Sequence, residues 1–253
     1  MIKLKSVTLS FDGLIALNDL NIEIQENTIH SIIGPNGAGK TTLFNCLSCF
    51  YKPNSGKIIV NGTSLEGLKP HEVSEIGISR SFQNVELFKN LTVTDNLMIG
   101  AYRKLSHGIF KNLFNCKKVN KENALIYKKS QDILELLHIK EKANEVIKNL
   151  PFGTQKLVDI ARSLMTDAKI ILLDEPVAGM NEVESKQIID LIYRLKNEFG
   201  YTVLLIEHDM SMVMNISDKI TVLNFGGKIA EGTPAQVQKD KMVIEAYLGE
   251  RGD

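Results

Sequence analysis

The sequence predicts an α/β protein: a parallel sheet covered by helices, carrying a phosphate-binding loop and interrupted by an inserted helical block. Three observations predict it. Residues 34–42, GPNGAGKTT, fit G-x-x-x-x-G-K-S/T between a β-branched run and an amphipathic one. From Ala168 onward, short aliphatic runs alternate with helical patterns, as parallel strands joined by helical crossovers do. Between about Leu91 and Asp167 the apolar spacing is helical, so the two halves of the α/β core flank an insertion.

The elements follow in order. Ile2 to Phe11 and Asn21 to Gln25 alternate apolar and polar residues, as antiparallel strands with one wet face do. Thr28 to Ile33 reads as a strand feeding the loop, and Thr42, Leu43, Phe44, Cys46 and Leu47 suit the helix after it. Asn61–Gly62 behind Ile58, Ile59 and Val60 is a hairpin turn. Ile78 to Phe82 is a strand closed by Gln83. Thr94 with Asp95 caps a helix containing Leu97, Met98 and Ile99, while Ile133, Leu134, Leu136 and Leu137 mark a second apolar face. A helix over Thr154–Leu164 ends the insertion. Strands over Lys169–Leu173, Thr202–Ile206 and Lys219–Leu223 then alternate with helices over Glu182–Glu198 and Met210–Ile216.

Thirty basic residues balance thirty acidic ones, which argues against a chain that holds nucleic acid through bulk charge. The hydrophobic fraction of 43% is ordinary for a globular protein. No stretch approaches the roughly 18 apolar residues that cross a bilayer, and the alternating N-terminus is unlike a signal peptide. The expectation is a cytosolic protein. Three cysteines cannot build a disulfide framework; Cys46 and Cys49, expected on the helix after the loop, read as packing. Residues 103–129 hold eight Lys/Arg against Glu122 alone, with Ile109, Phe110, Leu113 and Phe114 interleaved. That segment reads as a solvated helix face or as a contact for anionic headgroups or an acidic loop.

The loop chemistry is specific. Gly34, Gly37 and Gly39 let backbone N–H groups converge on phosphate oxygens, with Pro35, Asn36 and Ala38 completing the turn. The helix N-terminus at Lys40, Thr41 and Thr42 adds a favourable dipole. Lys40 would reach the β- and γ-phosphates, and the Thr41 hydroxyl would hold Mg²⁺. Ile170 to Leu173 ends in Asp174 and Glu175 at the strand end where chemistry gathers. Asp174 would organise Mg²⁺ and Glu175 would act as general base toward water. His208, at the end of the next strand, could bond the γ-phosphate and the attacking water from the opposite side to Glu175. The amide of Gln83 could touch metal or water at a hinge. Phe11 either packs in the core or offers its ring to adenine.

Together and in this order, these residues resemble the nucleotide-binding subunit of an ABC transporter, over nearly the whole chain. The carrying features are Phe11, the Walker A run 34–42, the Q-loop at Gln83, a signature-like LPFGTQ at 150–155, Walker B with Glu175, a D-loop-like AGMN at 178–181, and the switch histidine His208. GLIALNDL, NCLSCFYKP, RSFQNVELFKNLTVTDNL, DEPVAGMN, IEHDM and AYLGE are closer to the ATP-binding subunits of branched-chain amino acid importers.

The resemblance implies a P-loop NTPase (RecA-like) core with an antiparallel β subdomain and an inserted helical subdomain. It divides the chain into catalytic core at 1–88, helical subdomain at 89–166 and catalytic core at 167–253. It implies ATP and Mg²⁺, ATP hydrolysis, and transmembrane permease subunits as partners. A periplasmic solute-binding protein would belong to the same system, with this chain peripheral at the cytoplasmic membrane face and no nucleic acid involved. Two ATPase subunits would clamp two ATP molecules head to tail, with Gly153 touching the nucleotide held by the opposite Walker A. The signature departs from LSGGQ, having Pro151 for Ser, Phe152 for Gly and Thr154 for Gln. We therefore expect a non-identical sister subunit, a homodimer remaining possible. Another solute, such as urea or exported lipopolysaccharide, and a non-transport ABC ATPase are the alternatives. Val85, Leu87 and Phe88 are candidates for the permease contact.

Overall fold

A computed structural model describes residues 1–81, 85–101 and 116–248. The chain divides into two compact units, residues 1–83 with 168–253 and residues 84–167. This division changes over at 83/84 and 167/168, where the sequence reading has 88/89 and 166/167. Gln83, residues 103–115 of the basic segment 103–129, and Gly249 and Glu250 of AYLGE lie outside the described residues.

The larger unit holds two sheets. Strands β1 (Ile2–Phe11), β2 (Leu14–Ile24), β4 (Ser55–Val60) and β5 (Thr63–Ser64) form an antiparallel sheet in the order β2-β1-β4-β5. The second sheet has the order β10-β9-β3-β8-β7-β6, from β3 (Ile29–Ile33), β6 (Ile78–Ser81), β7 (Ile170–Asp174), β8 (Thr202–Ile206), β9 (Lys219–Asn224) and β10 (Gly227–Gly232). Its pairings are parallel except β9 with β10. Strands β3, β7 and β8 are buried along their whole length, as continuous aliphatic runs in a doubly covered parallel sheet must be.

Helix α1 (Lys40–Leu47) joins the two sheets into one core. Its Leu43, Phe44, Cys46 and Leu47 pack with Ile2, Leu4, Leu17 and Leu20 of the antiparallel sheet and with Ile32, Leu172 and Leu204 of the parallel one. The Phe44 side chain is completely buried, worth about 2–3 kcal/mol in transfer alone. That packing holds the helix, and hence the loop before it, against the strand ends. Ile188, Leu191, Ile192 and Leu195 are the buried stripe of the helix at Glu182–Asn197. Cys46 is buried as expected, but Cys49 lies beyond the helix with φ 57°, half-buried against the same core.

Residues 84–167 form a helical unit. Helix α2 (Val93–Gly100) starts two residues earlier than a Thr94 cap would place it. Thr92 is the N-cap, accepting from Asp95 N at 3.1 Å while Asp95 accepts from Thr92 N, and the Thr94 hydroxyl instead donates to Ala143 O. Helix α3 (Cys116–Leu136) and helix α4 (Phe152–Leu164) follow, with Ile133, Leu134 and Leu137 buried and Leu136 half-buried. Lys129, counted among the basic residues, is committed within this unit: its ammonium donates to Met165 O, Thr166 O and Asp167. Among the described residues no helix is long and apolar enough to cross a membrane.

Candidate active site

β3 and α1 position the phosphate loop. β3 ends at the buried Ile33, and α1 begins seven residues on, at Lys40. Gly34 and Gly39 occupy positions closed to a side chain. Their φ angles are 149° and 99°, and a Cβ would come within 2.1 Å of Leu223 O and 2.5 Å of Ala16 O. Pro35 and Ala38 are buried, whereas Asn36 and Gly37 are exposed. Gly226 N donates to Ala38 O at 3.1 Å, pinning the loop to the β9–β10 turn. No side chain caps α1 and its first turn carries no acid, so the positive helix end faces the loop. The Lys40 ammonium is buried and donates to Gly34 O at 2.6 Å and Pro35 O at 2.8 Å. Thr41 is exposed and Thr42 half-buried. A glycine-shaped turn, a cation and an uncapped helix end fit a polyphosphate.

Asp174 ends β7, almost wholly buried, and accepts from the Arg80 guanidinium at 2.9 Å. Arg80 also donates to Asn45 Oδ1 at 2.8 Å and lies over the Phe44 ring, so it ties Asp174 to α1. Burial pushes the Arg80 pKa down, and the charge of Asp174 opposes that shift. The Thr41 hydroxyl and the Asp174 carboxylate are hard oxygen donors, of the kind that could hold Mg²⁺.

Glu175 follows β7 with φ 49°, a left-handed backbone costing about 1–3 kcal/mol in a residue with a side chain. Its N–H donates to Ile206 O at 2.9 Å, and its Oε1 lies 2.6 Å from His208 Nε2. His208 is half exposed and Glu175 largely covered. The two side chains, expected on opposite sides of the phosphate, instead touch at the ends of adjacent strands, where a carboxylate and an imidazole can share a water or a phosphate oxygen.

A family model for the ABC transporter matches residues 17–178, more than half of the chain. The chain belongs to the ABC transporter family. As an ABC ATPase it binds and hydrolyses ATP. A second model, for the branched-chain amino acid ATP-binding cassette transporter, matches residues 228–253 of this cassette. The cassette is 42% identical over 250 residues to the high-affinity branched-chain amino acid transport ATP-binding protein LivG of Escherichia coli K12, covering 99% of this chain and 98% of LivG. It is equally similar, at 42% over the same shares, to BraF of Pseudomonas aeruginosa, which carries the same description. Among solved structures it resembles an ATP-binding cassette from an ABC transporter in its ADP conformation, with TM-score 0.85, 33% identity and 98% of each chain covered.

Within this ABC cassette, Phe11 closes β1, 41% exposed, with the Tyr51 ring edge-on at 5.1 Å. Its ring is therefore held but not enclosed, as a base-stacking platform would be. In the helical unit, Pro151 is the N-cap of α4, one position earlier than a first-turn proline. Gln155 Nε2 donates back to Leu150 O at 2.9 Å, Phe152 is half exposed, and Gly153 is buried in the first turn. Arg80 and Glu207 escaped the sequence reading. Their signals were a charged residue inside the short strand Ile78–Ser81 and an acid at a strand end beside a histidine.

Proposed function

We propose that this ABC ATPase energises the import of branched-chain amino acids through partner membrane subunits. The observation that carries this reading is the match of residues 228–253 to the branched-chain amino acid cassette model. The full-length similarity to LivG and BraF supports it.

The chemistry follows from the chain's own residues. The backbone N–H groups of residues 34–42 and the Lys40 ammonium bind the phosphates of ATP, and Phe11 stacks on adenine. Mg²⁺, when bound, neutralises charge developing on the β- and γ-phosphates; Thr41, Asp174 and, beyond the described residues, Gln83 would hold it. Glu175 takes the proton of the attacking water, and His208 holds the γ-phosphate from beside it. A permease pair, a periplasmic binding protein and a sister ATP-binding subunit complete the assembly, with this chain peripheral at the cytoplasmic face. Closing the two ATPase subunits around ATP, and reopening them after hydrolysis, would drive the permease because ATP and ADP bind the closed state unequally.

The test is uptake of labelled leucine, isoleucine and valine in cells lacking this chain. Uptake should be lost, and restored by the wild-type chain but not by Lys40→Ala. Unchanged uptake in the deletion would remove the substrate assignment while leaving the ATPase assignment standing.

A further inference from the structure

Glu207 lies between Ile206 of β8 and the exposed His208, yet its side chain is only 4% exposed. A buried carboxylate needs partners, and this one finds them on two different loops. Oε1 accepts from Val177 N at 3.0 Å, two residues beyond Glu175. Oε2 accepts from His208 N at 3.0 Å, and the Asp209 N–H also bonds the carboxylate. Burial pushes the Glu207 pKa above the usual carboxylate range, and these three N–H groups pull against that shift.

We propose that Glu207 is a positioning residue of ATP hydrolysis: its carboxylate clamps the loop leaving Glu175 to the loop carrying His208, holding the two side chains in contact. The inference rests on the roles given above to Glu175 and His208. The chemistry asks for a carboxylate. Donors arrive from both loops, and only a side chain that accepts through two oxygens can satisfy both. The direct backbone bond, Glu175 N to Ile206 O, fixes where the β7 exit starts, but nothing in it orients Val177 or His208. The clamp also reaches the D-loop-like residues 178–181, because Val177 immediately precedes them and Met180 N donates to Val177 O. Movement of that loop on engaging a second subunit is thereby passed to His208. Glu207 touches neither phosphate nor water, so it acts through the residues it holds.

The experiment is a double-substitution cycle on the full chain with its partner subunits. Glu207→Gln keeps the size of the side chain but replaces one acceptor oxygen with an NH₂ group, releasing one of the two loops. We expect kcat to fall about 10- to 100-fold while KM for ATP and the melting temperature stay close to wild type. Combined with His208→Ala, Glu207→Gln should cost nothing further, because the clamp serves the contact already removed. A wild-type kcat in Glu207→Gln, or losses that multiply with those of His208→Ala, overturns the proposal. Glu207→Thr, which suits the strand end but cannot span to Val177, must show the same coupling and stands in should Glu207→Gln fold poorly. If His208→Ala alone left kcat intact, the role of His208 would fall and this inference with it; multiplying losses sink Glu207 only.

Discussion

Glu175 Oε1 and His208 Nε2 lie 2.6 Å apart although the residues are 33 positions apart in the chain. The register of the sheet brings them together. β7 and β8 run parallel with Asp174 opposite Ile206, so the residues leaving each strand emerge side by side. A slip of one residue would turn Glu175 to the other face of the sheet and end the contact. The aliphatic runs that bury β7 and β8 on both faces are therefore also what aligns the hydrolytic pair.

Glu175→Gln should leave ATP binding intact and lower turnover by about 10²- to 10⁴-fold, the range that removal of a general base commands. With ATP present the subunits should accumulate as a closed dimer, read by size-exclusion chromatography alongside phosphate release. Turnover near the wild-type rate would show that another group takes the proton.

The signature segment carries a second expectation. Pro151 sits at the N-cap of α4 with φ −55° and ψ 151°, a conformation open to serine, and no side chain caps that helix. Pro151→Ser should add a cap worth about 1 kcal/mol. It should also restore a hydroxyl toward the γ-phosphate of an opposite subunit, raising ATPase activity of the isolated chain about 10-fold or more. The unmodified chain alone should be slow and should quicken when its sister is added. Full activity from a pure homodimer of the wild-type chain would remove the case for a sister with an intact signature.

The phosphate loop was legible because its requirements are local: glycines, a lysine and a strand-to-helix switch lie within residues 34–42. Asp174, Glu175 and His208 could be named from strand ends for the same reason. Their meeting could not, since it depends on the pairing of β7 with β8. Glu207 looked like any acid beside a histidine until its burial and its bond to Val177 were visible. β2 was read only from Asn21, although it starts at Leu14. Register shifts along β1–β2, with Ser6 and Asp19 at positive φ, break the two-residue period that marks a strand. β10 escaped altogether, being glycine-bounded and without a fully buried face.

Phe88 offers a test of coupling. Its side chain is half exposed, while Asn96, itself buried, accepts from Phe88 N at 2.9 Å and donates to Phe88 O at 3.1 Å. The backbone is thus fixed and the ring is presented outward, whereas Leu87 beside it is buried. Phe88→Ala should leave the ATPase activity and melting temperature of the isolated chain unchanged and lower uptake in the assembled transporter. A variant that transports normally would move the permease contact elsewhere.

His30 sets an acid limit on stability. It lies on β3, 1% exposed, with Nε2 2.8 Å from the Thr221 hydroxyl and Nδ1 without a hydrogen-bond partner among the described residues. Burial lowers its pKa from 6.5 to about 4; Glu231 opposes the shift, and Lys219 and Lys228 add to it. Between those values the unfolded chain binds a proton that the folded chain does not, so stability rises with pH across the window. It is fully present above 6.5 and is lost as the pH falls toward 4, a span worth about 3 kcal/mol. Urea unfolding at a series of pH values should show this dependence in the wild type and a flatter one in His30→Gln, whose amide does not titrate. Both chains still share their carboxylates, so the difference between the two slopes isolates His30. Identical slopes would mean that the imidazole takes up its proton inside the folded sheet as readily as outside it.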